Sequence, residues 1–270
     1  MSEASTSDTV LERSQTTGAS YAPVSPCDLE ADAVGKTFGE AYVFRDVSFR
    51  LARGEAVALV GANGTGKSTL LRCIMGLIPV SEGEVTLLDT PVSAARPRDL
   101  RDLRSRMGLV SQKHNLVARM SVLSNVIHGL LGQRSGLRYW TQTLAPAEAR
   151  DAAMAALERV GLAHLAARRA DRLSGGQSQR VAIARALVAE PRILIADEPC
   201  ASLDPAAGED VMDLFFNLVR DEGVTVVFTS HNVDHALRYG DRVLGLANGK
   251  LQLDATSASL APTDLRGLYD

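Results

Sequence analysis

The sequence predicts an α/β fold in which helices alternate with the strands of a parallel sheet, and three observations predict it. Apolar runs of strand length recur through the chain: Ala56-Val57-Ala58-Leu59-Val60, Met107-Gly108-Leu109-Val110, Ile193-Leu194-Ile195-Ala196 and Val224 to Thr229. Such continuous runs suit strands covered on both faces. Stretches of helical spacing lie between them, including Leu70 to Met75, Val181 to Leu187 and the segment from Pro205 to about Asp221. The first run passes through the glycine-rich Gly61-Ala62-Asn63-Gly64-Thr65-Gly66-Lys67-Ser68-Thr69 directly into a helix, so this turn joins a strand to a helix.

Taken in order, residues 1 to about 26 lack periodicity and read as a disordered tail. From Leu29 the alternation is weak, as in an edge strand, and Gly35 to Glu40 breaks it with turn residues. Val43 to Leu51 alternates again, so two antiparallel strands form a small sheet before the glycine-rich turn. Phe38 is the candidate for stacking on a nucleotide base and Tyr42 the second; a core or turn aromatic is the other reading. Gly61 to Thr69 fits G-x-x-x-x-G-K-[ST], a phosphate-binding loop. Its glycines let backbone N–H groups turn toward a polyphosphate, and the helix N-terminus adds unpaired donors. Lys67 can reach the β- and γ-phosphates, and Ser68 can ligate Mg²⁺.

Glu82 to Asp89 reads as a strand, Pro97 to Arg106 as a surface helix and Met107 to Val110 as a short buried strand. Gln112 follows at its carboxyl end, where ligands gather in parallel sheets. Its amide oxygen can ligate Mg²⁺ or hold a water; a plain loop residue is the alternative. Residues 115–170 contain no strand-like run. Val122 to Leu131 and Pro146 to Val160 have helical spacing, which makes this region an inserted helical subdomain. Tyr139 and Trp140 in its connector either touch a partner or pack on their own helices. Leu173-Ser174-Gly175-Gly176-Gln177 opens the next helix with Ser174 as N-cap, a second helix end suited to phosphate.

Asp197 at its strand end can hold Mg²⁺, and Glu198 can polarise an attacking water. His231 follows Val224 to Thr229 and can donate to a γ-phosphate. Arg242 to Leu246, Asn248-Gly249 and Lys250 to Asp254 give a hairpin signal, and the chain ends in a short helix through Leu265 and Tyr269.

Composition narrows the class. With 270 residues, 46% hydrophobic and 23% charged, the chain reads as an ordinary globular protein. The net charge of −3 gives no support for a nucleic-acid binder. No apolar run approaches the ~18 residues needed to span a bilayer. The start of the chain lacks the apolar core of a signal peptide. Cys27, Cys73 and Cys200 are far apart, without metal-ligand spacing, and suit a reducing compartment.

Together GANGTGKST, Gln112, LSGGQ, ILIADE, SLD (Ser202 to Asp204) and His231 resemble the ATP-binding cassette (ABC) family of transport ATPases over about Leu29 to Asp254. The resemblance implies a P-loop NTPase cassette with a RecA-like core, a small antiparallel β subdomain and an inserted α-helical subdomain. Residues 27–254 would be the ATPase domain, about 113–172 its helical part, and 255–270 a short extension. It implies a head-to-tail homodimer. Each ATP would lie between Gly61, Ala62, Asn63, Gly64, Thr65, Gly66, Lys67, Ser68 and Thr69 of one chain and Ser174, Gly175, Gly176 and Gln177 of the other, with Asp204 at the seam.

The catalytic set implied is Glu198, His231, Lys67 and Gln112, with Ser68, Gln112 and Asp197 around Mg²⁺. Gln112 would link site occupancy to the helical part, which would dock on an integral membrane permease. The chain would sit peripherally on the cytoplasmic face of the inner membrane. Within the family, Ser111 to Gly132, the connector ending in Tyr139-Trp140, DEPCASLDP and the terminal TDLRGLYD are most similar to the ATPases of phosphonate importers. An importer of this kind implies an extracytoplasmic solute-binding protein. Ser111 departs from the aromatic often found before the glutamine.

Overall fold

The computed structural model describes residues 27–134 and 136–269. The tail expected over 1–26 lies outside the described residues, as do Ser135 of the connector and Asp270. The strands are β1 (Cys27–Phe38), β2 (Ala41–Ala52), β3 (Ala56–Val60), β4 (Glu82–Leu87), β5 (Thr90–Pro91), β6 (Met107–Ser111), β7 (Ile193–Asp197), β8 (Thr225–Thr229), β9 (Arg242–Ala247) and β10 (Lys250–Thr256). The helices are α1 (Lys67–Ile74), α2 (Pro97–Ser105), α3 (Val122–Ile127), α4 (Ala147–Arg159), α5 (Gly175–Leu187), α6 (Pro205–Asp221), α7 (Val233–Tyr239) and α8 (Pro262–Arg266).

The larger sheet has six strands in the order β10-β9-β3-β8-β7-β6. All its pairings are parallel except that of β10 with β9. Period-2 alternation divides its side chains between two apolar layers. Ala58, Val60, Leu194, Ala196, Val226 and Phe228 enter one layer with residues of α3 to α7. Val57, Leu59, Ile193, Ile195 and Val227 enter the other with α1 and the smaller sheet. Coverage on both sides explains why β3 and β8 are buried along their whole length.

The smaller sheet has four strands in the order β2-β1-β4-β5. β1 is therefore an interior strand, paired with β2 on one side and β4 on the other, and not the edge strand its weak alternation suggests. The alternation is weak because the register slips between Ala31 and Val34, where Ala33 takes a φ of 46°. Such irregularities break the two-residue period locally. The strand also continues through Gly35 to Phe38, and the turn is confined to Gly39-Glu40. β6 differs from expectation in the opposite sense. It closes the large sheet as an edge strand, and Leu109 is 41% exposed.

Parallel pairing puts the carboxyl ends of β3, β6, β7 and β8 on one margin of the sheet. Those ends lead into Gly61, Gln112, Glu198 and Ser230-His231. This is the margin where open α/β sheets bind ligands.

Candidate functional site

The glycine-rich turn is fixed by contacts that exclude side chains. A Cβ on Gly61 would lie 2.2 Å from the Leu246 carbonyl oxygen, and one on Gly66 would lie 2.8 Å from Val43 Cγ1. Both residues also have positive φ, which a glycine adopts without strain. Helix α1 then starts at Lys67 with no side-chain cap and no acidic residue in its first turn. Its first N–H groups lack side-chain partners, which leaves a helix end suited to an anion.

Lys67 folds back over this turn. It is 6% exposed, and its ammonium donates to the carbonyls of Gly61 at 2.7 Å and Ala62 at 2.9 Å. Burial lowers its pKa, and the nearby carboxylates of Glu198 and Asp197 act in the opposite direction. A bound polyanion would favour the charged lysine further.

The acids at the end of β7 are tied to β8 by one hydroxyl. Thr229 Oγ1 donates to Asp197 Oδ1 at 2.8 Å and accepts from the Glu198 N–H at 2.8 Å. Ser68 Oγ donates to the same Asp197 oxygen at 3.4 Å. A hydroxyl and a carboxylate oxygen side by side form a hard-oxygen set that suits Mg²⁺, which takes few protein ligands and completes its shell with phosphate and water. Glu198 has a φ of 51°, a left-handed conformation rare for a residue with a side chain. That conformation turns its carboxylate to meet His231, whose Nε2 lies 2.5 Å from Glu198 Oε1. A cavity of about 140 Å³ adjoins this pair, lined by Cys200, Met212 and His235 among others. It has room for water, but not for a nucleotide, which needs about 300 Å³ or more.

Lys67, Ser68, Asp197, Glu198 and His231 thus form one cluster. Gln112 is exposed and follows Ser111, the residue paired with Asp197, so it stands beside the cluster. Ser174 to Gln177 are elsewhere: among the described residues no hydrogen bond joins them to Gly61–Thr69. Ser174 caps α5 through a reciprocal box, its Oγ accepting from the Gln177 N–H and the Gln177 side chain accepting from the Ser174 N–H. The cap leaves the Ser174 hydroxyl proton and the N–H groups of Gly175 and Gly176 available. Leu203 packs against Gly175, and Asp204 caps α6 by accepting from the Ala207 N–H at 3.0 Å.

Phe38 and Tyr42 are each 56% exposed at the turn end of the β1–β2 hairpin, beside Gly39-Glu40, so neither is a core residue. The adjoining Val43 is the residue packed on Gly66, which sets this hairpin end beside the phosphate loop. Of the connector pair, Tyr139 is buried and Trp140 is 56% exposed.

A family profile described as ABC transporter matches residues 44–201. The chain belongs to the ABC transporter family. It is 47% identical over 241 residues to the phosphonates import ATP-binding protein PhnC of Nocardia farcinica, covering 89% of this chain and 90% of that one. It is 48% identical to the phosphate-import ATP-binding protein PhnC of Mycolicibacterium smegmatis, covering 87% and 89%. Among solved structures, cbiO1 of Clostridium perfringens, part of the ABC transporter complex cbiONQ, superposes with a TM-score of 0.75 at 29% identity, covering 86% of this chain and 89% of that one. MJ0796, a bacterial ABC transporter cassette solved as a dimer, gives 0.74 at 32% identity, covering 86% and 100%. The same cassette is also known in a dimeric post-hydrolysis state with ADP and Pi.

This ABC ATPase binds and hydrolyses ATP. Thr229, the residue that joins both acids, is missing from the motif-based set. The available signal is a hydroxyl at the end of a central strand, one position past the Ala196–Phe228 pair and thus level with Asp197. Thr229→Val keeps the shape but leaves the Glu198 N–H without its acceptor. The variant is expected to lose about 1–3 kcal/mol in urea denaturation and to hydrolyse ATP more slowly at unchanged nucleotide affinity.

Proposed function

We propose that this ATPase energises import of a phosphonate or a related oxyanion through a membrane permease. The observation that carries the substrate class is the 47% identity, over nearly the full length of both chains, to a protein named for phosphonate import. The 48% relative named for phosphate import favours phosphate as the second reading. The chain would act peripherally at the cytoplasmic face of the inner membrane. An extracytoplasmic solute-binding protein would deliver the anion. Among the described residues no helix is long and apolar enough to cross a membrane, so the route itself would be built by other subunits. The exposed Leu137, Trp140 and Leu144 lie in the helical part, about 113–172, and support its docking on the permease.

Two chains would close head to tail on two ATP molecules. The Ser174 hydroxyl and the Gly175 and Gly176 N–H groups of one protomer would meet the γ-phosphate held by its partner's phosphate loop. Their availability beyond the helix cap supports this reading. Gln177 would keep Ser174 in place, and Asp204 would line the seam. Phe38, beside the loop, would stack on adenine. Lys67 would leave its loop carbonyls for the β- and γ-phosphates. Ser68 and Asp197, with Gln112 close by, would hold Mg²⁺, which supplies positive charge against the phosphates when bound. Glu198 would orient or deprotonate water, and His231 would brace the γ-phosphate from 2.5 Å away from that carboxylate. Gln112 would pass the state of the site to the helical part.

The test is uptake of labelled phosphonate and labelled phosphate, each in competition with the other, by cells whose copy of this chain carries Glu198→Gln. Loss of phosphonate uptake supports the first reading and loss of phosphate uptake alone the second. Normal uptake of both overturns the substrate assignment.

A further inference from the structure

The terminal TDLRGLYD has no part in the nucleotide cluster as read from motifs, yet it reaches two of the segments that build it. Leu265 is fully buried and Leu268 nearly so, and the Leu268 side chain packs where a Cβ on Gly245 would lie, 2.5 Å from Leu268 Cδ1. With α8 anchored in this way, the next backbone groups cross to the site. The Leu268 carbonyl accepts the Ala62 N–H at 2.8 Å, at the start of the phosphate loop. The Tyr269 hydroxyl donates to the Ser230 carbonyl at 3.0 Å. That carbonyl belongs to the peptide unit that carries the His231 N–H. Fixing the plane of this peptide restricts the direction in which His231 leaves the backbone.

We infer that Tyr269 is a positioning residue for ATP hydrolysis, holding the Ser230–His231 peptide while Leu268 beside it holds the phosphate loop, so that the carboxyl-terminal segment sets the spacing of the two. The inference rests on the role proposed above for His231. The Ala62 N–H is committed to Leu268, and the loop's phosphate contacts fall to the N–H groups further along. Ser230 closes its own turn, accepting from the Asn232 N–H through its hydroxyl at 3.0 Å, so the Tyr269 bond is the link from this turn to the carboxyl-terminal segment. Burial pushes the Tyr269 phenol up to about 12, which keeps its proton in place through the neutral range.

The experiment is a double-mutant cycle on the full chain, with Tyr269→Phe, His231→Ala and both together, assayed for ATP hydrolysis. Tyr269→Phe keeps the packed ring and removes one hydrogen bond. We expect kcat to fall about three- to tenfold with KM for ATP within about twofold of the parent. In the His231→Ala background the same change adds nothing, because the group it positions is gone. A purely structural tyrosine would lower both backgrounds equally or leave kcat alone. Either result, with His231→Ala itself strongly impaired, overturns the inference. Full activity in His231→Ala instead removes the role given to the histidine, and the inference falls with it.

Discussion

Replacing Glu198 by glutamine is expected to lower kcat for ATP hydrolysis by about 10²- to 10⁴-fold, the range for loss of a positioned base. The substitution is close to a test of charge alone. Its backbone N–H stays on Thr229 Oγ1, because that bond involves no side-chain atom of residue 198. The left-handed φ of 51° is equally strained for glutamate and glutamine. A glutamine can also keep an oxygen or an N–H near His231 Nε2, which faces the carboxylate at 2.5 Å. What disappears is basicity and negative charge toward a water. KM for ATP is therefore expected to change little, and the loss to appear in single-turnover phosphate release. With cleavage blocked, two chains closed on ATP have no step that separates them. Light scattering at saturating Mg-ATP is expected to show a dimer for the variant. Turnover within tenfold of the parent would remove Glu198 from its proposed role.

The contrast between Glu198 and Thr229 shows what the sequence carries. Glu198, Asp197, Lys67 and Ser68 each belong to a short contiguous motif at the end of an apolar run, so residue type and local spacing locate them. Their meeting also follows from local information, since parallel strands place their carboxyl ends together whatever their order. Thr229 and Tyr269 act through partners 32 and 39 residues away in sequence, and nothing local marks those contacts. The central strands β3 and β8 of the large sheet were legible because both faces are buried and the apolar runs are unbroken. The small sheet was half legible. β2 alternates from Val47 to Leu51, but it slips register at Asp46 as β1 does at Ala33, and β4 reaches β1 from beyond the phosphate loop. The α5 cap was legible in Ser174 and Gln177, three residues apart, because that box closes on itself.

Lys67→Ala is expected to remove most ATP binding and to lower turnover by a further factor of about 10²–10³, as for loss of one group that stabilises developing charge. The effect should not come from unfolding. The lysine's pKa is lowered in the folded chain by burial, so below its ordinary value of 10.5 the charged form costs stability, and alanine removes that cost. Against it stand the two hydrogen bonds to the Gly61 and Ala62 carbonyls, which alanine forfeits. These contributions have opposite sign, and the variant should melt close to the parent when no nucleotide is added. Nucleotide separates the two proteins. At an ATP concentration 100 times its Kd the parent gains about 2.7 kcal/mol by mass action, which thermal denaturation detects as a raised midpoint. The variant at the same concentration is expected to show almost no rise. A full ATP-dependent rise in Lys67→Ala would mean that the buried ammonium serves the loop and not the phosphates, because its loop carbonyls would then be the only partners it needs.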